Sequence, residues 1–151
     1  MIIERRADGG FDVEIFDWQA DMLQNLIEPL RDLLLEGSSP VLRRLYPTAY
    51  PSDAEANEKF EELVHDQLLE QKLAALDTVE SSMRADHLSE EQLSEWMTAI
   101  NSIRLVLGTR LDVSEDDDPI EMADDHPDRA LWLSYGLLSQ MLGLIVDALS
   151  S

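Results

Sequence analysis

The apolar positions change period once along the chain, from strand-like at the start to helical afterwards. Ile2 to Arg6 and Phe11 to Phe16 have strand character. Between them lies Ala7-Asp8-Gly9-Gly10, whose glycines permit positive φ, so a small N-terminal β-hairpin over 2–16 is predicted. Two strands alone are marginal, and this hairpin must lie against helices or pair with another chain. From Asp17, a capping residue, a helix runs through Trp18, Met22, Leu26, Ile27, Leu30 and Leu34 to Gly37. Pro29 predicts a kink or a break between Ile27 and Leu30. Pro40-Val-Leu-Arg-Arg-Leu45 reads as a short helical turn, and the segment from Leu45 to Pro51 as an ordered connector whose two tyrosines pack on the helices.

Asp53 caps the longest predicted helix, which continues to about Arg84 without Gly or Pro. Its apolar positions drift around the axis, as expected of a helix that touches several neighbours. Ser89-Glu90-Glu91-Gln92 matches a capping box and opens a further helix ending near Arg110 or Leu111. Residues 114–125, SEDDDPIEMADD, are read as an acidic flexible surface loop. With Pro127 at its first position, a last helix runs from about Asp128 to Leu149 and is apolar almost all round. The prediction is a single all-α helical bundle of about four to five helices carrying a small β-hairpin. The last helix should be buried on more than one side, at the centre of the bundle or across a homodimer interface. A membrane anchor is the competing account, opposed by Asp147, Gln140 and two serines.

Composition narrows the function classes. The 151 residues hold 11 Lys and Arg against 32 Asp and Glu, a net charge of −21, and such a field repels nucleic-acid backbones and anionic membranes. No nucleic acid and no membrane is therefore expected among the partners. No cysteine is present, which excludes disulfides, thiolate metal sites and a Cys nucleophile. The opening MIIERRADGG lacks a signal-peptide pattern, and a cytoplasmic location is expected.

Candidate chemistry is sparse. Glu62 and His65 have the spacing of half a dinuclear metal pair, but the second half is missing. The run from Asp112 to Asp125 departs from a calcium loop at Asp117 and Ala123, where glycine and glutamate are required. No Gly-x-Ser-x-Gly elbow and no phosphate-cradling loop occurs, so an enzyme is unsupported and no cofactor or metal is expected. The remaining constellation is Asn101, Arg104 and Gly108. On a helix, Leu93, Trp96, Ile100, Ile103, Leu107 and Leu111 share one face, and Arg104 falls roughly 40° from Ile100, inside the apolar stripe. A buried guanidinium needs a partner. Asp147 is the first expectation, with Asp77 or Glu80 behind it, and Arg110 should cap the helix end. The edge suits an inter-helix bridge or a small-anion or peptide-carboxylate pocket.

The Gly-Gly-Phe hairpin, the Arg-Leu-Tyr-Pro-x-Ala-Tyr connector from Arg44 to Tyr50, the Lys72-Leu-Ala-Ala-Leu76 run and the run from Asn101 to Leu111 are together similar to a small actinobacterial family. Its members form a domain of unknown function often encoded beside the Clp adaptor ClpS. The resemblance implies a cytoplasmic protein with a connection to regulated proteolysis, and it transfers no site. The sequence reading is thus a non-enzymatic interaction or regulatory protein with a protein partner, Clp-related on that resemblance. The alternative is a small-ligand or metal-binding protein using the Arg104 edge or the acidic loop.

Overall fold

The computed structural model describes residues 1–46, 54–111 and 128–151. The hairpin forms as predicted, with β1 (Ile2–Arg5) antiparallel to β2 (Phe11–Glu14) in the register Ile2 to Glu14 and Arg5 to Phe11. A third strand, β3 (His87–Leu88), extends the sheet in the order β1-β2-β3, with Phe11 opposite Leu88. This strand was not predicted, and it answers the marginal stability of an isolated hairpin from within the same chain. Phe11 and Val13 point inward from β2 and are buried, while Asp12 and Glu14 face water.

The outer face of the sheet carries a charged cluster. Arg6 binds Asp8 at 2.9 Å and Asp12 at 2.9 Å, and His87 Nδ1 lies 2.6 Å from the same Asp12 carboxylate. Hydrogen bonds from Arg6 hold the carboxyls of Asp8 and Asp12 below the usual carboxylate range. A carboxylate with a depressed folded pKa contributes stability above its unfolded pKa and loses it as pH falls through the folded value. Side-chain NMR titration should therefore show Asp8 and Asp12 protonating below the ordinary aspartate range. Midpoints within that ordinary range would contradict the cluster.

The helix α1 (Asp17–Glu36) is unbroken through Pro29 and ends at Gly37 in the left-handed conformation. Its start differs from the expectation by one residue. Asp17 is the first helical residue, and the entry is secured by the Gln19 side chain, which accepts the Phe16 backbone N–H at 3.0 Å. A 3-10 helix (Pro40–Leu45) follows, then α2 (Ala54–Ser82) and α3 (Glu90–Leu111). The predicted Asp53 cap and the 114–125 loop lie outside the described residues. The capping box at α3 is present in full, because Gln92 N–H donates to Ser89 Oγ at 3.0 Å and Ser89 N–H donates to Gln92 Oε1 at 2.9 Å.

The core forms one cluster in which α3 is central, burying Leu93, Trp96, Ala99, Ile100, Ile103, Val106 and Leu107 against its neighbours. Arg31 of α1 clamps α2 through Asp77 at 3.0 Å and through Glu80. Those two acids are therefore committed to Arg31 rather than to Arg104. The last helix, α4 (Arg129–Ser150), packs chiefly on α3 through Leu138, Met141 and Ile145. Among the described residues it is not enclosed on every side: Leu133, Leu144 and Val146 are exposed at 39%, 40% and 41%. The all-round apolar pattern predicts a central helix or a homodimer interface; α3 takes the central place, and among the described residues α4 is covered by α3 and, near its end, by β1. Among the described residues α4 is long and apolar enough to cross a membrane by length and composition, with mean hydropathy 1.3 over a window of which 17% is buried.

Candidate functional site

Asn101, Arg104 and Gly108 lie along one edge of α3, and the structure brings Tyr135 of α4 and Arg44 of the 3-10 helix to them. Arg104 is partly buried, as its stripe position required. Its partners differ from the expected carboxylate. Nη1 donates to the Tyr135 hydroxyl at 3.1 Å and Nη2 donates to Asn101 Oδ1 at 3.1 Å. The guanidinium carbon also lies 5.7 Å from the centre of the Tyr135 ring. Asp147 is exposed on α4 and makes no ion pair with Arg104 among the described residues. A phenol and an amide satisfy two of the guanidinium nitrogens without bringing a second charge out of water, which avoids much of the desolvation cost of a buried ion pair.

Two buried atoms remain unsatisfied: among the described residues neither Arg104 Nε nor the Tyr46 hydroxyl has a hydrogen-bond partner. Burial pushes the Tyr46 hydroxyl pKa up. The Tyr46 ring stacks on His65, with centroids 4.2 Å apart, so one predicted tyrosine does pack on the helices. Tyr50 lies outside the described residues. That stacking also gives His65 a packing role, and its Glu62 neighbour is exposed. Among the described residues no group of three or more His, Asp or Glu side chains is arranged to hold a metal.

Gly108 admits side chains rather than a whole helix backbone. A Cβ there would lie 3.1 Å from the Tyr135 ring and 3.2 Å from Arg44 Nη1. The absence of a side chain is thus what lets the phenol and a second guanidinium meet the helix. Arg110 is exposed in the last turn of α3, where a cation faces the helix dipole as predicted. Since no acid is stranded when Arg104 is removed, Arg104→Met should cost only about 1 kcal/mol in urea denaturation, rather than the larger loss expected of a broken buried ion pair. A loss several times greater would mean that an acid does depend on Arg104.

On its other side Asn101 opens into a groove of about 370 Å³ lined by Lys72, Met97, Thr98, Asn101, Ser102, Leu142 and Val146. Because a guanidinium can only donate, the Asn101 amide is oriented with Oδ1 toward Arg104, which leaves Nδ2 as the atom available to the groove. Lys72 is half-buried, forms no ion pair among the described residues, and has its pKa lowered by burial. Sequence reading passed over Lys72. The signal was available, because on the wheel Lys72 falls amid Leu68, Leu69, Ala75, Leu76 and Val79, the inward stripe of α2.

A family model matches residues 1–149. The chain belongs to the DUF2017 family, a domain of unknown function. No curated protein and no solved structure matches the chain. Membership in DUF2017 brings no catalytic or binding residue with it, so the Arg104 edge and the adjoining groove rest on their own geometry.

Proposed function

We propose that this protein is a non-enzymatic interaction module whose outer α4 face receives a basic amphipathic helix of a partner protein. The observation carrying this reading is the apolar stripe that α4 leaves uncovered. Leu133, Leu137, Gln140, Leu144 and Asp147 alternate spacings of four and three residues along one side of the helix, about 110° round from the buried Leu138, Met141 and Ile145. That is the seam spacing of a helix meeting another helix. An uncovered seam of leucines in a water-soluble protein is an interface signature.

Charge selects the occupant. A second copy of the chain would bring −21 against −21 and Asp147 toward like charge, whereas a helix bearing Lys or Arg would gain from the same field. An anionic membrane is disfavoured for the same reason, and Gln140 and Asp147 lie on the face that lipid would cover. The ClpS-adjacent resemblance points to a cytoplasmic partner in Clp-dependent regulated proteolysis.

Light scattering should give a detergent-free monomer. Quantitative co-purification should enrich Clp-related proteins on the wild type and lose them on Leu133→Glu/Leu144→Glu, with binding weakening as salt rises. A stable dimer abolished by those substitutions, a requirement for detergent, or identical enrichment on both forms would overturn the proposal.

A further inference from the structure

We propose that the groove between α2, α3 and α4 is a binding site for a carboxylate with a short apolar tail, held by the Lys72 ammonium and the Asn101 Nδ2. This inference is independent of the partner-docking reading, since the groove lies on a different flank of α4 from the Leu133–Leu144 seam.

The groups facing the groove divide into two kinds. Lys72, Asn101 and Ser102 supply hydrogen-bond donors, while Met97, Leu142 and Val146 supply an apolar wall. The Thr98 hydroxyl is already committed to the Ser94 carbonyl at 3.3 Å. No lining residue is acidic, in a chain with 32 acids and 11 bases. Elsewhere in the described structure Arg6, Arg31 and Arg84 each find a carboxylate. Arg104 has neutral partners instead, whereas Lys72 has neither a carboxylate nor a hydrogen bond among the described residues, although it is half-buried in the same acidic protein. Burial lowers its pKa, and among the described residues no neighbouring anion opposes that shift. A half-buried cation without a counter-ion, beside an amide whose acceptor is turned away by Arg104, leaves a position where an incoming anion meets only donors.

The ligand's charge and shape follow from these groups. One ammonium and one amide match the two oxygens of a single carboxylate, whereas a phosphate would leave oxygens facing Met97 and Leu142. The volume of about 370 Å³ suits a small molecule or the last residues of a peptide. The carboxylate could be that of a free acid or of a chain terminus, and the chemistry at Lys72 is the same for both.

The test is a titration followed by amide NMR shifts. The probes are hexanoate, 1-hexanol, hexylamine, inorganic phosphate, and a tripeptide ending in Val-Leu with its terminus free or amidated. Hexanoate or the free peptide should bind saturably and shift Thr98, Asn101 and Ser102. Hexanol and the amidated peptide should bind about tenfold more weakly, and hexylamine and phosphate should not compete. Preference for the free peptide over hexanoate identifies a chain terminus as the source; the reverse identifies a free acid. Lys72→Met should lose about tenfold in affinity with a thermal midpoint close to the wild type, and Asn101→Leu several-fold with a lowered midpoint, because it also unpairs Arg104 Nη2.

Wild-type protein alone gives a second readout. Met97, Thr98, Asn101 and Ser102 of α3 and Leu142 and Val146 of α4 carry no ionisable group, so Lys72 sets the pH dependence within the groove. Hexanoate affinity should fall as pH rises through the lowered Lys72 pKa, before an ordinary lysine would titrate. The proposal is overturned by unperturbed groove amides, by hexanol binding as tightly as hexanoate, by unchanged affinity in Lys72→Met, or by affinity that stays flat up to the ordinary lysine range.

Discussion

Trp96→Ala is expected to destabilise the protein by about 4 kcal/mol, the largest loss from any single truncation in this fold. Trp96 is 1% exposed and sits at the centre of α3, where it meets the end of α2. Its indole Nε1 donates to Ser82 Oγ at 2.8 Å, and Ser82 in turn donates its own proton to the Thr78 carbonyl at 2.5 Å. The serine's proton is thus already assigned, so its oxygen can only accept from the indole. Truncation removes the ring's packing and opens a cavity that α2 and α3 cannot close without moving. Ser82→Ala should cost only about 1–2 kcal/mol by leaving the indole N–H unpaired. Urea denaturation of the two single variants and the double variant would test this. A double variant equal to the sum of the singles would show that the hydrogen bond couples nothing.

Gly10→Val should be the second most damaging substitution, at about 3 kcal/mol, although the residue is not in the core. Gly10 has φ +77°, and a Cβ would stand 2.9 Å from the Leu88 carbonyl oxygen. That oxygen is backbone, so the contact can be relieved only by displacing β3. Displacement would part Phe11 from Leu88, a pair 0% and 3% exposed, and would disturb Ser89, which caps α3. Gly9 is the control. It has φ +94° but nothing within 4 Å of its Cβ position, so Gly9→Ala should cost about 1 kcal/mol through backbone conformation alone. Equal losses at the two glycines would remove the steric argument.

Local chemistry was legible in the sequence wherever one segment sufficed to state it. The Gly9-Gly10 turn, the Ser89–Gln92 box, the Gly37 stop and the strand-to-helix change at residue 17 all depend on neighbours in sequence, and all form. What failed depended on partners far along the chain. β3 is two residues long, too short for alternation to register, and it exists because β2 offers a free edge. Charge counting sent Arg104 to Asp147, Asp77 or Glu80, but geometry gave it a phenol one helix away, while Arg31 had already taken the latter two. The apolar excess of α4 predicts cover on more than one side, but periodicity does not tell which neighbour supplies it, and among the described residues α3 and β1 cover α4 only in part. Lys72 stands in the family-like run up to Leu76 but is not legible there as a site residue, because lysines are ordinarily solvated and only its wheel position distinguishes it.

The arginine at the end of β1 has a consequence for how the chain acquires its structure. Arg5 Nη2 donates to the Ala148 carbonyl at 3.2 Å, closing a loop of 143 residues, and its guanidinium also rests 4.8 Å above the Phe11 ring. The first strand pair is therefore completed only by segments synthesised long after it: β3 arrives once α2 has been made, and the last turn of α4 once nearly everything has. Contacts of such sequence separation cost loop-closure entropy before they return any stability. During synthesis the hairpin must wait with an open edge, and the sheet becomes a late-assembling clasp rather than a nucleus.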